Sequence, residues 1–206
     1  MEFMLLFGVA TIFVLIVLFR DANRYADKAE ETVDAPRRQT RTVTQRENYH
    51  RFDESNGYLR AKVECVIDGD TVIVSRSFRK IKIRLDSIDC PENGQHWGDI
   101  AKFGLIKLIG GRRVYLQEHG EDRYGRTVAS IFVQQGSKWI NVNERMVTLG
   151  HAWVMRRYYD HLSKERQDTL NRLERWAKTR KVGLWKTPNP IPPWRWRNGE
   201  TVIRSE

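Results

Sequence analysis

From Tyr58 onward, apolar and polar positions alternate in short runs: AKVECVI, TVIVSRSF, KIKIRLDSI, RRVYLQEH and TVASIFVQ. Each run is bounded by turn residues, and period-two alternation of this kind predicts strands with one face buried. Three stretches carry a helical period instead. Asp99 to Ile109 sets Ala101, Leu105, Leu108 and Ile109 on one side and stops at Gly110 and Gly111. Val142 to Leu149 has Asn141 as its N-cap and Gly150 just past its end. Ser163 to about Lys181 aligns Leu170, Leu173, Trp176 and Ala177, with Arg180 and Lys181 in the last turn and Gly183 beyond. Five strands and three helices predict an α+β domain built on a small barrel or sandwich. No internal repeat is visible.

A different pattern precedes the domain. Phe3 to Phe19 is uncharged, with Thr11 as its one polar member. As a helix it measures roughly 25 Å, the short end of a bilayer span, and it is apolar on every face. A signal peptide and a retained anchor compete for this run. The acidic start at Glu2 and the Arg20-Asp21-Ala22-Asn23-Arg24 segment behind it favour the uncleaved anchor. Residues 21–56 are poor in large aliphatics and rich in Arg, Glu, Asp and Thr, the composition of a solvated tether. The expected organisation is therefore an anchor over 1–20, a tether over 21–56, a folded domain over 57–187 and a Pro/Trp/Arg-rich tail over 188–206.

Charge narrows the partners. The 206-residue chain carries a formal net charge of +10, and the first 56 residues contribute −1 of it. The basic surface thus belongs to the domain, and nucleic acid or an anionic membrane surface is favoured over an acidic protein or a neutral metabolite. Cys65 and Cys90 are too few for a disulfide scaffold and have no C-x-x-C spacing.

Acidic and basic residues concentrate in three strand-end segments: Asp68-Gly69-Asp70-Thr71, Arg84 to Glu92 (RLDSIDCPE), and Asp122 to Arg126 (DRYGR). Singly, each reads as a turn. Together they hold the parts needed to attack a phosphodiester. Asp70 and Asp89 are hard oxygen ligands suited to Ca²⁺ or Mg²⁺. Glu92, just past Pro91, is placed to take a proton from water. Arg84 and Arg126 offer planar forks for phosphate oxygens.

In order and approximate spacing, VIDGDTV, RLDSIDCPE and DRYGR resemble the staphylococcal nuclease (thermonuclease) family, and the helix ending in KVGLW resembles that family's C-terminal helix. The likeness covers roughly Lys62 to Trp185. It implies a five-stranded OB-fold barrel with three helices and Ca²⁺-dependent hydrolysis of DNA and RNA to 3′-phosphorylated products; the catalytic domain is expected to be monomeric. It also implies Asp70 and Asp89 as carboxylate metal ligands, with the main-chain carbonyl of Cys90 completing the set where the family usually has Thr. Arg84, Glu92 and Arg126 match the family's catalytic residues. After Glu92 the chain departs from the family's longer lysine-bearing loop, so no substrate contact transfers there.

Substrate contacts are less sharply marked. Arg123 and Tyr124 suit the side of a nucleotide, and a solvated surface pair fits them equally well. In HAWVMRRYYD, Tyr158 is the candidate stacking residue, with an aromatic covering the core as the alternative. Residues 145–197 hold 13 Lys or Arg against 4 Asp or Glu, a strip able to track a sugar-phosphate backbone or merely the solvated face of a helix. The tail PNPIPPWRWR is expected to be extended. It either packs across its own domain or stacks on bases. His96, His119 and His151 stand apart in sequence and receive no role.

The expected function is a membrane-tethered, Ca²⁺-dependent nuclease. A noncatalytic OB-fold nucleic-acid-binding module is the alternative, and a lipid-binding basic surface leaves Asp70 and Asp89 unexplained. Arg20, Arg24 and Lys28 follow the anchor and favour a cytoplasmic domain, whereas the resembled family is mostly exported. The side of the membrane stays open.

Overall fold

The computed structural model describes residues 56–200. The expected anchor, most of the tether and the last six residues lie outside that range. Among the described residues no helix is long and apolar enough to cross a membrane.

The five expected strands form, with revised ends: β1 (Tyr58–Val66), β2 (Thr71–Arg76), β3 (Arg79–Leu85), β5 (Arg113–Glu121) and β6 (Thr127–Gln135). They run antiparallel in the order β3-β2-β1-β5-β6, and β3 then pairs with β6 in parallel through Ile83↔Thr127, Arg84↔Val128 and Leu85↔Ala129. That seam closes a five-stranded barrel and removes two free edges. Val63, Val72, Val74, Ile83, Leu116 and Ile131, all fully buried, are part of its core.

Three further strands escaped the sequence reading. β7 (Lys138–Asn141) extends β6 as a hairpin, and the two-residue strands β4 (Ile88–Asp89) and β8 (Trp153–Val154) pair with each other. Strands this short show no usable period.

The helices are α1 (Gly98–Ile109), α2 (Val142–Thr148), α3 (Lys164–Thr179) and the short α4 (Pro193–Trp196). The side chains of Asn141 and Ser163 cap α2 and α3 by accepting from Glu144 N and Arg166 N. In α3, Glu174 is buried and accepts from Val154 N, Arg156 and Lys178, tying the helix to β8. Asn143 is a second buried cross-link. It accepts from Ile131 N and donates to the carbonyls of Asp86 and Ala129, so α2, β6 and the turn after β3 are held by one amide.

The tail is not wholly extended: it turns into α4 and packs on its own domain. Trp194 meets Trp153 edge-on at 6.4 Å, Trp153 meets Trp185 at 5.1 Å, and Gln95 donates to the carbonyl of Ile191.

Candidate active site

The turn from β1 to β2 sets the first carboxylate. Asp70 N donates to Asp68 Oδ1 at 3.0 Å, and Ile67 N and Asp68 N both donate to Thr71 O. Gly69 is required by packing, because a Cβ there would lie 2.6 Å from Cys90 Cβ. The Asp70 carboxylate faces inward and accepts from Cys90 N at 2.7 Å and Thr71 Oγ1 at 3.2 Å. Burial pushes its carboxyl up to about 7, with Arg84 pulling the other way and Asp68 and Asp89 adding to the rise.

Arg84, near the end of β3, bridges the two candidate metal ligands. Its Nη2 lies 2.8 Å from Asp89 Oδ1 and 3.3 Å from Asp70 Oδ2, and Nη1 donates to Leu85 O. Burial opposes its charge, and the two carboxylates outweigh that, raising its pKa. The Cys90 thiol donates to Gly69 O at 3.1 Å. Burial raises its pKa well above the ordinary thiol value, so it is held as S–H and offers no thiolate. Cys65 is exposed, and the two cysteines are unpaired.

Glu92 follows on a loop closed by Gln95. The Gln95 side chain accepts from Glu92 N, the Gln95 main-chain N–H donates to Glu92 O, and Gln95 Nε2 donates to Ile191 O. The loop bearing Glu92 is thereby fastened to the tail. Arg126 is oriented by Asp122, which accepts from Arg126 Nε at 2.7 Å and from Arg126 N at 3.0 Å. The Arg126 guanidinium reaches Thr71 Oγ1 at 3.4 Å, which places it beside Asp70.

One member of the site is absent from the sequence reading. Arg197, just after α4, places Nη2 2.9 Å from Asp89 Oδ2 and Nη1 3.4 Å from Asp89 Oδ1, and Nη1 also bonds Glu92 Oε1. Burial opposes its charge, and the bonds to Asp89 and Glu92 raise its pKa nonetheless. Asp70, Arg84, Asp89, Glu92 and Arg197 are therefore one connected network, with Arg126 beside it. The alternating Trp-Arg pattern of the tail was visible in sequence. Its contact with Asp89 depends on how α4 docks.

The proposed substrate residues are placed less uniformly. Tyr124 is exposed, with the Arg123 and Arg126 guanidiniums 4.8 and 5.4 Å from its ring centre. Tyr158 lies on a single 3₁₀ turn, Arg156–Tyr158, exposed beside Arg157, so the core-covering alternative does not hold. Among the described residues no contact joins it to the carboxylate network.

Two histidines left without a role acquire partners. His151 is buried and accepts at Nδ1 from Trp97 Nε1 at 3.1 Å. Gly104 leaves room for its ring, since a Cβ there would lie 2.6 Å from Nε2. His119 meets His161 and Asp86, which sits in the turn just after β3, and all three ligand atoms lie within 4.8 Å of one another. The separation of these residues in sequence hid the group.

Residues 82–187 match a family model described as staphylococcal nuclease homologue. A protein of Escherichia coli named Protein ParB is 35% identical over 153 residues, covering 72% of this chain and 84% of that protein. An uncharacterized endonuclease of Escherichia coli O157:H7 is 35% identical over 140 residues, 68% of this chain and 86% of its own. A micrococcal nuclease of Shigella flexneri is 34% identical over 144 residues, 68% and 80% respectively.

Proposed function

Because this chain belongs to the staphylococcal nuclease family, we propose that it is a Ca²⁺-dependent nuclease that hydrolyses DNA and RNA and leaves 3′-phosphorylated products. The observation that carries this reading is Arg84 bonded at once to Asp70 and Asp89, with Arg126 held by Asp122 next to Thr71. Two carboxylates and two arginine forks from distant segments meet at one end of the barrel.

The donor set suits a hard cation. Its candidate protein ligands are the carboxylates of Asp70 and Asp89 and the main-chain carbonyl of Cys90, all oxygen. Both oxygens of Asp89 face guanidinium nitrogens, from Arg84 and Arg197, so a cation bound there would share the carboxylate with them or displace Arg197. When bound there, Ca²⁺ would supply Lewis-acid neutralisation of the phosphate charge.

The chain's own residues supply the rest. Arg84 pairs with the non-bridging phosphate oxygens as they gain charge. Glu92 orients the attacking water and accepts its proton. Arg126 stabilises by hydrogen bonding the charge on the 5′ oxygen as the P–O5′ bond breaks, and the phosphate stays on the 3′ side, with solvent protonating the released 5′ oxygen. Arg123 and Tyr124 flank the nucleotide, and Tyr158 serves as an outlying stacking surface. An anchor at Phe3 to Phe19 holds the enzyme at a membrane in this reading, and resistance of the full chain to alkaline extraction from membranes tests it.

The decisive assay is cleavage of single-stranded DNA by the full chain with Ca²⁺ or with chelator, beside Glu92→Gln. Cleavage that needs both Ca²⁺ and Glu92 supports the proposal. Salt-sensitive binding without cleavage would replace it with a noncatalytic binding module, a reading favoured by one observation: Arg197 lies across Asp89 and Glu92.

A further inference from the structure

We propose that Asp86, His119 and His161 form a second metal site, distinct from the carboxylate network, that takes Zn²⁺ or a similar borderline transition ion. Asp86 Oδ2 lies 3.0 Å from His161 Nε2 and 3.8 Å from His119 Nε2. Bonds of about 2.0–2.1 Å in a tetrahedral zinc site put ligand atoms roughly 3.3 Å apart, so these two edges need shifts of well under 1 Å, and the two imidazole nitrogens, within 4.8 Å of each other, need to close by at most about 1.5 Å to seat the ion.

The donor chemistry separates this site from the one at Asp89. Two imidazole nitrogens and one carboxylate suit zinc, copper or nickel, and suit Ca²⁺ or Mg²⁺ poorly. Three protein ligands leave a fourth position for water, and half-exposed His161 opens the group to solvent.

The ligands come from three elements and are anchored before any ion arrives. Asp86 is buried, its N–H donates to Ala129 O at 2.9 Å, and its carbonyl accepts from Asn143 at 2.9 Å. Ser87 Oγ donates to Asp86 Oδ2 at 2.8 Å and fixes the carboxylate. His119 sits where the β5–β6 register shifts between Glu118 and Gly120, an irregularity that re-aims a side chain. Ser130 Oγ, 3.0 Å from His119 Nε2, can rotate its proton aside. The histidine rings stand 4.7 Å apart at 48°, leaving their Nε2 edges convergent on Asp86. Arg166, a cation near His119, is paired with Glu144 at 3.3 Å. An ion here would clip the segment before α3 to the barrel and to the turn between Arg84 and Asp89.

The test is Zn²⁺ binding to the chelator-stripped full chain, read by competition with a chromophoric chelator and by the thermal midpoint, with Co²⁺ absorption reporting coordination geometry. Wild type should take up one Zn²⁺ at this site, show a tetrahedral Co²⁺ spectrum and melt higher with metal. His161→Gln, at a half-exposed position, and His119→Gln should each weaken binding by more than about tenfold and abolish the spectrum. Asp89→Asn should retain both, which separates this site from the proposed catalytic one. Absence of Zn²⁺ binding in wild type would overturn the proposal. So would binding unchanged in both histidine variants, lost in Asp89→Asn, or displaced equally well by Ca²⁺.

Discussion

Arg197 and Asp89 are 108 residues apart in sequence and meet fork to fork, at 2.9 and 3.4 Å. Together with Arg84 at 2.8 Å, this leaves neither oxygen of Asp89 unengaged. A cation that uses Asp89 must displace Arg197 or share the carboxylate with it. Partly exposed ion pairs are worth about 1 kcal/mol. Arg197→Ala in the full chain is therefore expected to bind Ca²⁺ about fivefold more tightly by titration calorimetry. Weaker binding would mean that Arg197 supports the cation, and unchanged binding that the two do not compete for Asp89.

Arg126 depends on Asp122 for its orientation, through both its main-chain N–H and Nε. Removing a donor to a developing charge costs on the order of 10²–10³ in turnover. Arg126→Ala should fall in that range, and Asp122→Ala, which leaves the guanidinium present but unaimed, should lose about tenfold with KM little changed. Equal losses in the two variants would show that Asp122 does more than position its neighbour.

Burial holds His151 neutral, with its pKa lowered to about 4 from the ordinary 6.5. The unfolded chain binds a proton on this residue below about pH 6.5 and the native chain does not, so acid favours unfolding. The stability tied to neutral His151 is complete above pH 7 and declines between 6.5 and 4, by up to about 3 kcal/mol. Denaturation of wild type and His151→Gln across that window should show a shallower pH dependence in the variant. Parallel curves would refute the assignment.

Glu174 has the opposite sign. Burial alone would raise its pKa, but hydrogen bonds from Arg156, Val154 N and Lys178 lower it below the ordinary 4.5. Its contribution is present above the unfolded value and is lost as pH falls through the lowered one. Glu174→Gln should destabilise the chain by about 1–3 kcal/mol at pH 7. That difference should shrink in acid, as chemical denaturation at pH 7 and pH 3 would reveal.

Much of this was legible in sequence, for a physical reason. Alternation marks a strand when one face is buried over five or more residues, as in β1, β2, β3 and β5, whereas β6 is buried on both faces from Ala129 to Val133. Asn141 and Ser163 announced their helices because caps are local chemistry. Asp70, Arg84, Asp89, Glu92 and Arg126 lie in compact motifs, so their grouping could be anticipated. Arg197 and the group of Asp86, His119 and His161 could not. Their partners lie tens to more than a hundred residues away and meet only after α4 docks and β5 shifts register.

The seam between β3 and β6 also bears on the order of folding events. Its parallel pairs join residues 44 apart and the β1–β5 pairs join residues 51 to 59 apart, whereas β1–β2, β2–β3 and β5–β6 are local hairpins or near neighbours. Non-local pairing carries the larger loop-closure entropy and is expected late. Arg84 lies within that seam and Arg126 immediately precedes the residue that starts it. A chain whose hairpins have formed but whose seam is open would keep Arg84 and Arg126, the arginines proposed as catalytic, on separate pieces. In refolding experiments, recovery of cleavage should therefore trail the recovery of sheet signal. Until those non-local pairs close, a freshly made chain would pose little hazard to nucleic acid around it.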